Sequence, residues 1–261
     1  MDWFEATLLG LVQGLTEFLP ISSSGHLVIA ETLLGTHGEG ILFEIVVHVG
    51  TLAAILVYFR QRVLELIRGV VSGHSDAIRY VGKLGLATLP AVVVGLSLKD
   101  FIESLFERPW LVGVALLATG ALLITTRRTV QTARHAEPSW AQAFVIGLAQ
   151  ALAIVPGISR SGTTVAVALA LGVAPVAATE FSFLMAIAAI AGAAVLALPD
   201  VTAVSPGDAE AFLVGGVVAM GSGLAALWLF VRLLRSRRFH QFAYYVWVVG
   251  AVFLIWLGVA R

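Results

Sequence analysis

Long apolar runs separated by short charged segments dominate this chain. Six of them, at about 41–59, 82–98, 110–126, 175–198, 209–234 and 243–259, approach the roughly 20 residues that cross a bilayer as a helix. Two regions break the pattern. Residues 3–19 read as an apolar helix interrupted by Gln13, Thr16 and Glu17 and ended by Pro20; Ser22-Ser23-Ser24-Gly25 follows as a loop, and a short helix runs on to Leu34. Region 141–173 has the same shape, broken at Pro156-Gly157. Non-helical backbone at membrane depth is tolerated only where it lines a cavity or is buried in protein. Each region is therefore expected to be a re-entrant helical hairpin. Pro109, Pro175 and Pro206 sit at helix starts, where proline is tolerated, whereas Pro90 lies inside a span and is expected to kink it.

Composition turns these runs into a class. The 261 residues are 59% hydrophobic and 12% charged, against about a quarter charged in soluble domains. The expectation is an all-α polytopic membrane protein: one membrane domain, with about six full transmembrane helices plus two re-entrant hairpins. Short loops leave no room for a soluble domain. Zero formal net charge gives no sign of a nucleic-acid partner, and the absence of cysteine excludes disulfides, thiolate catalysis and Cys-ligated metals. Met1-Asp2-Trp3-Phe4-Glu5 has neither a basic n-region nor a cleavage pattern, so no removable signal peptide is expected.

Loop charge sets orientation. Arg60, Arg62, Arg68, Arg79 and Lys83 follow the first full span; Arg127, Arg128 and Arg134 form the next basic loop, and Arg232, Arg235, Arg237 and Arg238 the last. The positive-inside rule puts these three in the cytoplasm and both termini outside. Trp3, Trp110, Trp140 and Trp256 fall near segment ends, as interfacial tryptophans do.

The two broken regions are copies of one another. Moving GLVQGLTEFLPISSSGHL (Gly10–Leu27) onto GLAQALAIVPGISRSGTT (Gly147–Thr164) superposes Gly10, Leu11, Gln13, Leu15, Ile21, Ser22, Ser24 and Gly25 on identical residues. Three spans separate the copies, and an odd number of crossings inverts the second relative to the first. The halves, about 1–126 and 139–261, thus form an inverted-topology repeat whose hairpins enter from opposite faces and meet near the midplane. Where the copies differ, the first has Glu17, Ser23 and His26 and the second has Ile154, Arg160 and Thr163.

Those differences are the candidate chemistry. A carboxylate at membrane depth is costly and functional by default; Glu17 reads as a general base or a ligand for a hard divalent cation, with Gln13 one turn earlier on the same face. A protonated Glu17 tied to backbone or to Gln13 is the structural alternative. Ser22, Ser23, Ser24 and Gly25 precede a helix, so hydroxyls and free N–H groups gather at its positive end, an arrangement that binds anions. Ser159, Arg160, Ser161 and Gly162 repeat it, and Arg160 adds a planar fork matched to phosphate. Capping and close helix packing explain any single serine equally well. His26 can serve as base, acid or nucleophile; a polar packing residue hydrogen-bonded to backbone is the structural alternative. Glu44, His48 and Glu180 are candidates for an outer shell, a structural polar contact being the other reading of each, and Thr163 and Thr164 for binding oxygen atoms, helix capping being the other reading of both threonines.

On these motifs the chain resembles the bacterial undecaprenyl-diphosphate phosphatase family, also called the bacitracin-resistance protein family. The first motif runs from Gln13 to Glu17 and from Pro20 to His26, the second from Pro156 to Thr164; Glu180–Leu184 and Phe43-Glu44 with Gly50 also agree. The resemblance implies a multi-pass protein of the bacterial cytoplasmic (inner) membrane whose site opens to the outer face. It implies hydrolysis of a C55 isoprenyl diphosphate to the monophosphate and inorganic phosphate, recycling a carrier for peptidoglycan, with a divalent cation, Mg2+ or Ca2+, as cofactor. Carried over by position, Glu17, Ser23, His26 and Arg160 are the core residues and Gln13, Ser159, Ser161 and Thr164 support them. Many members have glutamate where this chain has Gln13, which leaves Glu17 with more of any metal binding. Ala188 stands where the family pattern has proline.

The expected site therefore holds a diphosphate between Arg160, two helix N-termini and a cation on Glu17 and Gln13, with the prenyl tail in the surrounding lipid. The nucleophile stays open among Ser23, His26 and water, and so does a homo-oligomer. The rival is a transporter or flippase of a lipid phosphate or other anion, since inverted repeats with broken helices are also carrier architecture. Residues that handle protons beside a serine loop favour the enzyme.

Overall fold

Two capping boxes, one repeat apart, start the two hairpins. Asp2 Oδ1 accepts from the Glu5 amide at 2.7 Å while Glu5 Oε2 accepts from the Asp2 amide at 3.0 Å. Ser139 and Gln142 do the same at 3.3 and 2.7 Å. Each satisfies two first-turn donors reciprocally, so the repeat extends into local chemistry that the sequence comparison did not include.

The computed structural model describes residues 1–34, 40–196 and 206–259. Among these residues the α-helices are α1 (Trp3–Phe18), α2 (Ser23–Leu34), α3 (Gly40–Tyr58), α4 (Arg60–Val71), α5 (Ser75–Ser97), α6 (Lys99–Phe106), α7 (Pro109–Thr132), α8 (Trp140–Leu152), α9 (Arg160–Ala170), α10 (Pro175–Leu196), α11 (Pro206–Arg235) and α12 (Phe242–Val259). No strand occurs among the described residues. Helices α5, α7, α10, α11 and α12 are long and apolar enough to cross a membrane, and α3 is a further span that bends by 76° into α4. The chain is a multi-pass membrane protein.

The expected spans are all present, with changes at their ends. Helix α7 runs to Thr132, so Arg127 and Arg128 belong to a helix and not to a loop, and Arg232 and Arg235 lie in the last turn of α11. Positions 197 and 198 of the span expected at 175–198 lie outside the described residues. The span placed at 82–98 begins at Ser75, so Arg79 and Lys83 belong to a helix. The basic stretch after α3 is the amphipathic helix α4, not a loop, and 99–106 forms α6. Alternating charge had hidden both short helices from a search for apolar runs. Pro90 lies within α5, which continues past it to Ser97.

Helices α1 and α2 form the first hairpin, and α8 and α9 the second. Between them run α3, α5 and α7, three span-length helices that invert the second hairpin. Packing follows the repeat: α1 lies on α11 and α8 on the equivalent α5, while α3 pairs with α10 and α7 with α12. Each half thus cradles the other half's hairpin. The centre is a run of fully buried rings in edge-to-face contact, Phe18 to Phe183 at 5.7 Å, Phe183 to Phe230 at 5.1 Å and Phe230 to Phe239 at 5.4 Å. In lipid, such dispersion packing replaces the hydrophobic effect as the glue between helices.

The hairpin tips touch. Gly157, at φ +94°, ends the α8 side; a Cβ there would lie 2.6 Å from the Val112 carbonyl oxygen, so only glycine fits. A Cβ at Gly25 would lie 3.0 Å from Gly157 Cα, and one at Gly162 3.2 Å from Pro20 Cβ. Ser161 Oγ donates to the Leu19 carbonyl at 3.2 Å, stitching one tip to the other.

Candidate active site

Glu17 lies in the last turn of α1, just before the break, with its side chain only 6% exposed. Four groups converge on it. Arg160 Nη2 donates to Oε1 at 2.5 Å. Ser23 Oγ donates to Oε2 at 2.5 Å and Gln13 Nε2 at 3.0 Å. His48 Nε2 stands 3.9 Å from the same oxygen. Arg160 is the first residue of α9, so the ion pair joins the two hairpins across 143 residues. A buried pair of this kind offsets its desolvation only when geometry is good and further hydrogen bonds complete it; Ser23 and Gln13 supply those bonds.

Two atoms at this cluster are left over. Arg160 Nη1 is a buried donor and Gln13 Oε1 a buried acceptor, neither with a partner. Unpartnered buried polar atoms are uncommon and call for an explanation such as a ligand, ion or water. A donor on the guanidinium fork suits a phosphate oxygen. An acceptor oxygen beside a carboxylate suits a cation. Among the described residues no three His, Cys, Asp or Glu side chains gather as a metal cage. Glu17 and the unpartnered Gln13 Oε1 are the groups here that could hold a cation, and a cation such as Mg2+ would draw the rest of its shell from phosphate oxygens and water.

The serine loops do two jobs. Ser22 Oγ accepts from the Gly25 amide at 3.3 Å and Ser159 Oγ from the Gly162 amide at 3.1 Å, so both are helix caps. Ser24 Oγ and Ser161 Oγ each sit 3.3 Å from their capping serine. Capping uses one of the four orphan amides at each helix start. Ser22 adopts φ +70°, unusual for a residue with a side chain. Its carbonyl accepts from the His26 amide at 3.1 Å and lies 2.8 Å from His26 Nδ1. Thr164 Oγ1 is engaged with the Arg160 carbonyl at 2.8 Å and Ser182 Oγ at 2.6 Å, and so ties α9 to α10. Thr163 Oγ1 is buried without a partner.

The structure therefore brings Gln13, Glu17, Ser23 and Arg160 into one hydrogen-bonded cluster. It does not put His26 in it: Nδ1 is taken by Ser22 and Nε2 lies 3.0 Å from the Tyr245 hydroxyl. Glu180 belongs elsewhere, with Arg62 Nε at 2.9 Å and Tyr80 Oη at 3.2 Å. His48 is the residue that sequence reasoning undervalued. Its Nδ1 lies 2.6 Å from the Glu44 carbonyl, which turns Nε2 toward Glu17. Its spacing from Glu44 signalled a polar helix face, but not which helix that face would meet.

Comparison with known proteins places the chain in a family. The family model described as bacitracin resistance protein BacA matches residues 6–252, which include both hairpins and their cluster. The chain belongs to that family. Among similar proteins, the undecaprenyl-diphosphatase of Syntrophotalea carbinolica is 43% identical over 97% of this chain and 98% of its own length. The undecaprenyl-diphosphatase of Rhodopirellula baltica is 42% identical over 97% of both chains. That of Desulfatibacillum aliphaticivorans is 40% identical over 98% of this chain and 99% of its own. The family match thus spans nearly the whole chain and not only the motifs.

Proposed function

We propose that this protein is a membrane phosphatase that hydrolyses undecaprenyl diphosphate to undecaprenyl phosphate and inorganic phosphate. It belongs to the bacitracin resistance family along nearly its whole length. One observation carries the reading into chemistry: a serine hydroxyl bonded at 2.5 Å to a carboxylate that an arginine pairs from the other hairpin.

In this reading the terminal phosphate sits against Arg160 Nη1 and the starts of α2 and α9. Phosphoryl transfer needs mainly positioning and neutralisation of charge, and these groups provide both. Ser23 Oγ attacks the terminal phosphorus and passes its proton to Glu17. The bond from phosphorus to the bridging oxygen breaks, and the lipid monophosphate leaves. Water then attacks the phosphoserine, its proton passing to His26 Nε2; the bond from phosphorus to Ser23 Oγ breaks, Glu17 returns its proton to Oγ, and inorganic phosphate departs. A divalent cation held by Glu17 and Gln13 would supply further neutralisation of the diphosphate oxygens. The prenyl chain stays in lipid beside the bundle. The site opens on the outer face of the bacterial cytoplasmic membrane, in keeping with the three basic segments on the other side.

The test is phosphate release by purified protein in detergent from a polyprenyl diphosphate. Arg160→Ala and Glu17→Ala are each expected to lose at least about a hundredfold in kcat/KM, comparable to removing an electrostatic group from a transition state. Either variant running at the wild-type rate refutes the assignment. Detergent holds no gradient, so release there also separates an enzyme from a carrier.

A further inference from the structure

Helix α12 is apolar along nearly its whole length, yet it delivers one hydroxyl to the site. Tyr245 Oη lies 3.0 Å from His26 Nε2, and the two rings are parallel within 5° at a centroid separation of 5.7 Å. Tyrosine near a helix end in a membrane protein ordinarily reads as an interfacial anchor. Here its hydroxyl reaches a ring nitrogen instead.

The partners decide which way the protons run. His26 Nδ1 lies 2.8 Å from the Ser22 carbonyl oxygen. A carbonyl only accepts, so Nδ1 carries the hydrogen and a neutral ring keeps its lone pair on Nε2. Tyr245 must then be the donor. The Ser22 carbonyl is itself held in place by its own backbone at φ +70° and by the His26 amide. His26 is thus clamped at both nitrogens, one by its own loop and one by the last helix of the other half.

We propose that Tyr245 orients His26 as a proton acceptor and hands the proton on to it, staying bonded afterwards. Tyr245 Oη passes its hydrogen to Nε2 as the attacking water gives one to Oη, so one O–H bond of the phenol breaks while another forms. Nε2–H then donates to the phenolic oxygen, whose new hydrogen faces a phosphate oxygen or water. The charge on the imidazolium is solvated without ring motion. A phenylalanine has the same shape and can do neither. The inference deepens the phosphatase reading and rests on it.

Wild-type protein, Tyr245→Phe, His26→Ala and the double variant are assayed together for phosphate release from a polyprenyl diphosphate. Tyr245→Phe is expected to lower kcat about tenfold, the equivalent of one hydrogen bond, with KM unchanged. In the His26→Ala background the same substitution should cost nothing further. An unchanged kcat overturns the inference, and so does an equal loss in both backgrounds, which would mean that Tyr245 acts on the substrate directly. A wild type that releases no phosphate instead refutes the phosphatase reading itself. An independent check on wild type is 15N NMR of labelled histidine. With six histidines in the chain, His26 is identified by the signal lost in His26→Gln. A ring protonated at Nδ1 and bare at Nε2 is expected, and the opposite tautomer overturns the inference whatever the variants do.

Discussion

At the residue scale, the decisive fact is that Ser23 bonds to Glu17 and not to His26. Adjacency in sequence suggests the reverse, since Ser23 and His26 share the first turn of α2 while Glu17 belongs to another helix. Residues three apart on a helix are neighbours, but Ser23 Oγ is turned to Glu17 and the Ser22 carbonyl holds His26 Nδ1. The consequence is a division of labour between steps. Ser23→Ala should abolish phosphate release and form no covalent intermediate. His26→Ala should still be phosphorylated but hydrolyse slowly. With substrate labelled in its terminal phosphate, acid-quenched His26→Ala protein is expected to retain label on Ser23. Label absent from it, alongside normal substrate binding, would point to water as the direct nucleophile. Glu17, Ser23 and Arg160 were legible as candidates because polar residues at membrane depth are costly. His48 was legible only as an outer-shell candidate and Tyr245 not at all, since histidine on a helix face and tyrosine near a helix end both have common structural uses.

At the element scale, the hairpins depend on where a side chain cannot fit. Gly157 has φ +94°, and an added Cβ would lie 2.6 Å from the Val112 oxygen and 2.7 Å from Ala115 Cβ. Gly157→Ala is therefore expected to cost about 2–4 kcal/mol, combining backbone strain with overpacking, and to displace Arg160 three residues later. Gly192 in α10 has no neighbour within 4 Å of such a Cβ. Gly192→Ala should be neutral or stabilising by up to about 1 kcal/mol. Thermal unfolding of both variants in detergent ranks them, and equal melting temperatures would contradict the packing. The segment from Glu180 to Leu184 shows why a buried helix can lack an apolar face. Glu180 meets Arg62, Phe181 meets Tyr80, Ser182 meets Thr164 and Phe183 meets three other rings. Helices packed on all sides take their partners one residue at a time, so no periodic pattern remains to be read.

At the scale of the whole molecule, inversion makes one site out of two copies. Parity of crossings and loop charge predict that the termini and the basic segments lie on opposite sides of the membrane. The chain has no cysteine, so single introduced cysteines report topology cleanly. Asp2→Cys in intact cells should react with a membrane-impermeant thiol reagent, and Ser236→Cys should react only after the cells are opened. The opposite pattern would turn the site toward the cytoplasm. Sequence alone determined the membrane class, the broken helices and the repeat, because each follows from local composition: apolar length, proline and glycine breaks, and positions shared between copies. It also determined that the copies must be antiparallel, because crossings are counted and not packed. Only the tertiary structure decided which groups meet. Glu17 gains Arg160 from 143 residues away, and Glu180 is diverted to Arg62. His26 acquires Tyr245 from 219 residues away. The physical reason is that these bonds are made between helices, where the rotation and depth of each helix follow from close packing of small residues. No period along the chain encodes that.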